Sequence, residues 1–209
     1  MVEAVTVHPR LAVVLFDIHG VFFLKSGPRL HAVAERVGVR ADALTQAMGS
    51  LWVTYRCGNL TEVEFWTAVI AKLPSTFRGT AGGLAAHMDH VDLVDEDLAA
   101  WARGLKNRYR LAALSNAGAD LERRLDRFGL ANVFEVVLNS HRVGLAKPDR
   151  AIYQLAIDRL GVRPWQILFV DDKERNTAVA REMGFRTHTY RDLQGLQTVL
   201  AKIENGARD

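Results

Sequence analysis

Cysteine occurs once among the 209 residues, at Cys57, so the chain can close no internal disulfide. That excludes a disulfide-stapled secreted scaffold and leads us to expect a cytoplasmic protein. Arg56 and Gly58 beside it do not activate a thiol, so Cys57 reads as a small buried apolar residue. No apolar run approaches the ~18 residues of a membrane span, so no membrane partner is expected. The N-terminus lacks a basic start followed by an apolar core and a small-residue cleavage site, so export is not expected. Lys and Arg number 27 against 24 Asp and Glu, a formal charge of +3, and they are scattered rather than gathered in a stripe. Nucleic acid is therefore not an expected partner. Glycine-rich phosphate loops are missing too. Neither G-x-G-x-x-G nor G-x-x-x-x-G-K-[ST] occurs, which weighs against dinucleotide binding and nucleotide hydrolysis.

What is present is organised around Leu11-Ala-Val-Val-Leu-Phe16, an unbroken apolar run that ends in Asp17-Ile-His19-Gly20-Val21. Such a run predicts a strand buried on both faces of a parallel sheet. A break follows at Ser26-Gly27-Pro28, and the pattern then turns helical up to about Val94. Leu30, Val33, Ala34 and Val37 predict one amphipathic helix. Leu44, Ala47, Met48, Leu51, Trp52 and Tyr55 predict a second, running three turns. Thr61-Glu-Val-Glu64 is a capping-box signature opening a third, with Phe65, Trp66, Val69, Ile70 and Leu73. Leu84, Met88 and Val91 could face inward on a fourth. Four helices with short links read as a small bundle. Trp52 and Trp66 lie at helical spacing, which favours a bundle core over a contact surface; a monomer or homodimer is expected. Strands then alternate with helices: Arg110–Leu114, Val133–Leu138, Ile167–Val170 and a short strand after Gly184. The predicted fold is α/β, a Rossmann-like parallel sheet with helices on both faces and an inserted four-helix bundle.

Each chemically capable residue follows a strand or opens a helix. Asp17 follows the first strand, Ser115 and Asn116 the second, Lys147 the third after a loop, and Asp171-Asp172 the fourth. In a parallel sheet these points gather at the carboxyl edge, where ligands bind. Other roles exist for each. Asp17 could form a turn with Gly20, Ser115-Asn116 could cap a helix, Lys147 could be solvated, and Asp171-Asp172 could cap the helix near Glu174. The ordered set of four is what those separate roles leave unexplained. Three close carboxylates repel, and Mg²⁺ is a natural ion to hold them. A lysine, a hydroxyl and helix N-termini suit phosphate oxygens. Together they describe phosphoryl transfer, with an aspartate free to attack phosphorus.

These motifs resemble, in order and over nearly the whole chain, those of the haloacid dehalogenase-like hydrolase superfamily. Asp17-Ile-His-Gly-Val21 is similar to its first motif, Leu114-Ser115-Asn116 to its second, Val143-Gly-Leu-Ala-Lys147-Pro-Asp149 to its third, and Phe169-Val-Asp171-Asp172 with Asn176 to its fourth. Gly58 to Trp66 resembles a segment of the subfamily with a small four-helix cap, which includes many sugar-phosphate phosphatases. The resemblance implies an α/β core over 1–23 and 93–209 and a helical cap over 24–92. It implies a Mg²⁺-dependent phosphatase acting on a small phosphorylated metabolite through an aspartyl-phosphate on Asp17. Mg²⁺ would be held by Asp17, Asp172, the main-chain carbonyl of His19 and Asp171, directly or through water. Ser115, Asn116 and Gly20 would bind substrate, and Lys147 would neutralise charge. His19 stands where the family's phosphatases carry a second aspartate. It implies an unusual acid–base residue, a weakened enzyme or a module that binds phospholigands without turnover. A 2-haloacid dehalogenase is a further alternative, because those relatives also lack that aspartate.

Overall fold

In the computed structural model, residues 10–23, 26–89 and 93–206 are described, with the backbone alone at 26–28 and 89. The expected lead-in before residue 10, Leu24 and Val91 lie outside the described residues.

The apolar run after Arg10 enters the sheet as β1 (Val13–Phe16), with all four residues buried. Four helices follow: α1 (Ser26–Arg36), α2 (Ala41–Tyr55), α3 (Glu62–Ile70) and α4 (Ala81–Asp89). After α5 (Glu96–Leu105) the chain alternates as β2 (Arg110–Ser115), α6 (Leu121–Arg127), β3 (Val136–Asn139), the short α7 (Ser140–Val143) and α8 (Arg150–Leu160). It closes with β4 (Ile167–Asp171), α9 (Glu174–Glu182), β5 (Arg186–Thr189) and α10 (Leu193–Glu204). All strand pairs are parallel, in the order β3-β2-β1-β4-β5. β1 is central, which is why its residues are apolar without alternation. Val14 and Phe16 face a layer containing Leu98, Leu121, Leu125 and Leu196. Val13 and Leu15 face the opposite layer, with Ile152, Tyr153, Ala156 and Ala180. Each Val, Leu, Ile or Phe among these contributes roughly 1.5–3 kcal/mol by leaving water.

Four expectations change in detail. Ser26-Gly27-Pro28 is the first turn of α1 rather than a break. Proline is tolerated there because first-turn N–H groups have no helical partner. The third strand starts at Val136, because Val133 closes a turn onto the Leu130 carbonyl first. The second helix does not run evenly, since Gly49 leaves helical geometry inside α2 (φ 1°, ψ −107°). Cys57 is half-buried rather than buried.

Helices α1 to α4 close on one another in a ring, around a core of their own that includes Val33, Leu44, Phe65, Val69 and Leu84. Trp66 is buried, and Trp52 packs edge-on against Tyr55 and Phe65. The capping box forms as the spacing predicts: Thr61 Oγ1 accepts from the Glu64 N–H, and Glu64 Oε2 accepts from the Thr61 N–H. Tyr55 joins these helices to the sheet edge. Its ring stacks on Phe65, its hydroxyl accepts from the Ala119 N–H at 3.0 Å, and its carbonyl accepts from His141 Nδ1 at 2.6 Å.

Candidate active site

The switch in strand order lies between β1 and β4, and the ligand crevice of an open α/β sheet forms at such a point. Asp17 leaves β1 there, its N–H still bonded to the Val170 carbonyl, so the ladder fixes its backbone. The residue is 2% exposed. Its Oδ1 accepts from the Ile18 N–H at 2.7 Å and from Ser115 Oγ at 3.0 Å, and lies 3.0 Å from Lys147 Nζ. All three donors fall on one oxygen.

Lys147 is 1% exposed, so it is not the solvated loop lysine that its position before Pro148 would suggest. Its ammonium bridges Asp17 and Asp171 Oδ2, the latter at 2.7 Å, and sits over the Phe169 ring. Asn116 holds this lysine's backbone in place. Its amide nitrogen donates to the Lys147 carbonyl and its amide oxygen accepts from the Lys147 N–H, both at 2.8 Å. Ser115 and Asn116 therefore cap no helix. Asn116 reaches the site mainly as a brace for Lys147.

Asp171 accepts on both oxygens: Asn176 Nδ2 donates to each and the Lys173 N–H to Oδ1. Asp172 differs sharply. Its Oδ1 is buried with no hydrogen-bond partner, and Lys173 Nζ lies 3.9 Å from it. Asp17, Asp171 and Asp172 offer oxygens that all lie within 4.8 Å of one another. Burial pushes Asp17 up to about 6 against the attraction of Lys147. For Asp171, burial acts upward as well, but Lys147 and the donors from Lys173 and Asn176 outweigh it and hold the carboxyl below its usual range. An orphaned buried oxygen beside two carboxylates suits a hard divalent cation, so the residues present fit Mg²⁺.

Gly20 serves this cluster by having no side chain. Its φ is +87°, and a Cβ there would lie 2.5 Å from Asp172 Oδ2. Its N–H is taken by the Phe23 carbonyl at 2.7 Å, so it is not a spare donor for substrate. In Gly20→Ala we expect a stability loss of about 1–3 kcal/mol from the backbone strain. The displaced carboxylate should also weaken divalent-ion binding by roughly tenfold, a typical cost of disturbing a ligand's support. Denaturant unfolding and calorimetric Mg²⁺ titration measure the two effects.

His19 lies beside the nucleophile position, but both of its ring nitrogens are engaged. Nδ1 is 3.2 Å from Ser115 Oγ and Nε2 is 2.9 Å from Arg124 Nη1. A guanidinium only donates, so Nε2 must accept and the proton sits on Nδ1. The chain of donors then runs Arg124 to His19 to Ser115 to Asp17. Burial and the neighbouring Arg124 push the His19 pKa well below its usual value, in agreement with a neutral ring. His19 is therefore outside the carboxylate cluster and is built to hold Ser115. Arg124 itself, 2% exposed and stacked over Phe23 at 4.6 Å, is not among the residues expected from the motifs. Leu121, Arg124, Leu125 and Phe128 follow the i, i+3, i+4, i+7 spacing, which marks the arginine as inward-facing.

The profile of haloacid dehalogenase-like hydrolases matches residues 11–184. The chain belongs to that family. This hydrolase is 28% identical over 179 residues to the phosphoserine phosphatase of Thermus thermophilus, covering 72% of each chain. It is 36% identical over 80 residues to (S)-2-haloacid dehalogenase 4A of Burkholderia cepacia, which covers 38% of this chain and 35% of that one. A further match, 36% identical over 70 residues and 34% of this chain, spans only 13% of the length of bifunctional epoxide hydrolase 2 of Sus scrofa. Among solved structures, a HAD family enzyme of Bacteroides thetaiotaomicron in complex with magnesium and inorganic phosphate superposes with a TM-score of 0.77. That likeness covers 89% of this chain and 98% of the other at 18% identity, and it shows the shared fold.

Proposed function

We propose that this hydrolase is a Mg²⁺-dependent phosphatase that cleaves a small phosphomonoester through an aspartyl-phosphate on Asp17. The observation that carries this is the orphaned Asp172 Oδ1 in a cluster of three carboxylates at the sheet edge. Asp17 and Asp172 with the main-chain carbonyl of His19 would hold the ion, and Asp171 would join them directly or through water. When bound, Mg²⁺ supplies charge neutralisation and orientation for a phosphoryl group.

This chain's residues do the rest. Three donors meet Oδ1 of Asp17 and fix the orientation of the carboxylate that attacks phosphorus. The bond from phosphorus to the ester oxygen breaks, and that oxygen leaves with the electron pair. Water then attacks phosphorus, the Asp17–phosphorus bond breaks, the carboxylate returns, and the proton released by the water balances the departed oxygen's charge. Lys147 offsets negative charge on Asp17 and the phosphoryl oxygens throughout, and Ser115 keeps the carboxylate aligned. Residues 24–92 act as a cap over a core formed by 1–23 and 93–209, excluding water and selecting the leaving group. Phosphate release from phenyl phosphate and a panel of alkyl phosphates tests this. We expect a chelator to slow release by roughly 10²-fold or more, in line with the several kcal/mol a metal supplies, and Mg²⁺ to restore it. Release indifferent to chelation would overturn the reading.

A second reading, dehalogenation of a 2-haloacid, is favoured by the non-carboxylate at position 19 and the partial match to (S)-2-haloacid dehalogenase 4A. The third carboxylate opposes it, and we expect no halide release from 2-chloropropionate. His19 gives a further test. Because its nitrogens serve Arg124 and Ser115, His19→Ala should slow alkyl and aryl esters in the same proportion. His19→Asp adds a carboxyl acid near the leaving oxygen and should raise alkyl-ester turnover by roughly tenfold or more, within the range of positioned proton transfer. Rates of both variants on matched ester pairs provide the comparison.

A further inference from the structure

A cavity of about 400 Å³ opens from His19 and Asn116 at the sheet edge into the ring of helices α1 to α4. That volume is in the range of small-molecule sites and far exceeds a phosphate group. The bundle side is apolar and aromatic: Leu30, Met48, Trp52, Trp66 and Met88 line it, with Thr45 the one aliphatic hydroxyl among its described lining residues. The apolar and aromatic side chains of this wall suit a flat, apolar leaving group better than a polyhydroxylated one.

The cavity is also cationic. Arg29, Arg56, Arg124, Lys173 and Arg175 face Glu62 and Asp120. Arg124 has His19 and Asp120, and Glu62 is 3.4 Å from Arg123 outside the cavity. Arg56 stands apart. Its Nε is buried without a hydrogen-bond partner, at the end of α2 next to the Tyr55 that ties the bundle to the sheet edge. Arg56 lines the cavity and no described residue pairs with its guanidinium, so an anion brought by a ligand can. The leaving-group side has no free proton donor at position 19, since Ser115 and Arg124 hold both ring nitrogens. Esters whose oxygen departs without a proton, such as aryl esters, suit that arrangement.

We infer that the substrate is an aryl phosphomonoester whose ring carries a second anionic group. The phosphoryl group meets Asp17, the ring lies along Trp52, Trp66 and the methionines, and the second anion pairs with Arg56. This rests on the phosphatase reading and adds the identity of the leaving group to it. In the reaction the phosphorus–aryl oxygen bond breaks, the phenolate leaves, and water completes turnover at Asp17.

The experiment compares phenyl, 4-carboxyphenyl and 4-(methoxycarbonyl)phenyl phosphate with glucose 6-phosphate, in wild type, Arg56→Met and Arg56→Lys. Calorimetric binding of benzylphosphonate and 4-carboxybenzylphosphonate runs alongside and needs no turnover. We expect kcat/KM for the carboxylated ester to exceed that of its methyl ester by roughly tenfold or more, the scale of a charge-assisted hydrogen bond. That ratio should collapse in Arg56→Met and recover in part in Arg56→Lys, and glucose 6-phosphate should be the poorest substrate. Turnover of all esters with no carboxylate preference overturns this inference and leaves the phosphatase reading standing. No phosphate release, with the carboxylated phosphonate still bound preferentially through Arg56, overturns the phosphatase reading and keeps the ligand class. Neither release nor preference overturns both.

Discussion

Asp17→Asn should lower phosphate release from any ester by roughly 10⁵-fold or more, the scale seen when a covalent nucleophile is removed. The amide keeps the shape of the carboxylate, so its oxygen can still accept from Ile18 and Ser115 and the fold should survive. Burial raises the Asp17 carboxyl to about 6, so the native state binds its proton more readily than the unfolded chain does. That group therefore lowers stability as pH rises from about 4 to 6, and the neutral amide removes this slope. We expect the variant without metal to lose the corresponding fall in stability across that window. Initial rates and denaturant unfolding at pH 4.5 and 7 check both outcomes. A residual rate within tenfold of wild type would place the nucleophile elsewhere.

Lys147→Met should carry the largest cost to the fold. The methionine fills much of the lysine's volume but leaves Asp17 and Asp171 buried beside each other with no cation between them. Breaking a buried ion pair by removing one partner costs about 3–5 kcal/mol. Without the ammonium, burial raises both carboxyls above their unfolded values, so each is stabilising only when protonated. The deficit should consequently grow from pH 5 to pH 8, and Mg²⁺ should recover part of it at the higher pH. Turnover should fall by roughly 10³-fold, the scale of losing one preorganised electrostatic group. Thermal unfolding across pH, with and without Mg²⁺, reads the first effect, and phosphate release reads the second. An equal deficit at both pH values would mean that the lysine does not hold two charged carboxylates.

Much of this site was legible because its parts follow strands. An apolar run ending in Asp17 and another ending in Asp171-Asp172 read as buried strands of a parallel sheet whose ends share one edge, and Ser115 and Lys147 follow by the same logic. What lay beyond a linear pattern was direction. Whether Lys147 is solvated or buried depends on Asn116 clamping its backbone from another loop, a contact 31 residues away. His19 looked like a free acid–base group because its partner Arg124 stands 105 residues later on α6. Leu-Glu-Arg-Arg-Leu-Asp-Arg reads as a charged surface helix unless its spacing is counted, and the spacing does single out Arg124. Gly20 is expected at the substrate only through the family resemblance. It is instead the space that the Asp172 carboxylate fills. The start of α1 and the onset of β3 were misplaced for a simpler reason, since caps and turns near element ends weigh little against hydrophobic period.

The most direct test of the account is whether phosphate passes through Asp17. Enzyme mixed with ³²P-labelled phenyl phosphate and Mg²⁺ for less than one turnover, then quenched in acid, should retain label in a single peptide containing Asp17. Hydroxylamine should release that label, and Asp17→Asn should never acquire it. Normal turnover with no labelled protein at any quench time, or label on another residue, would contradict the account.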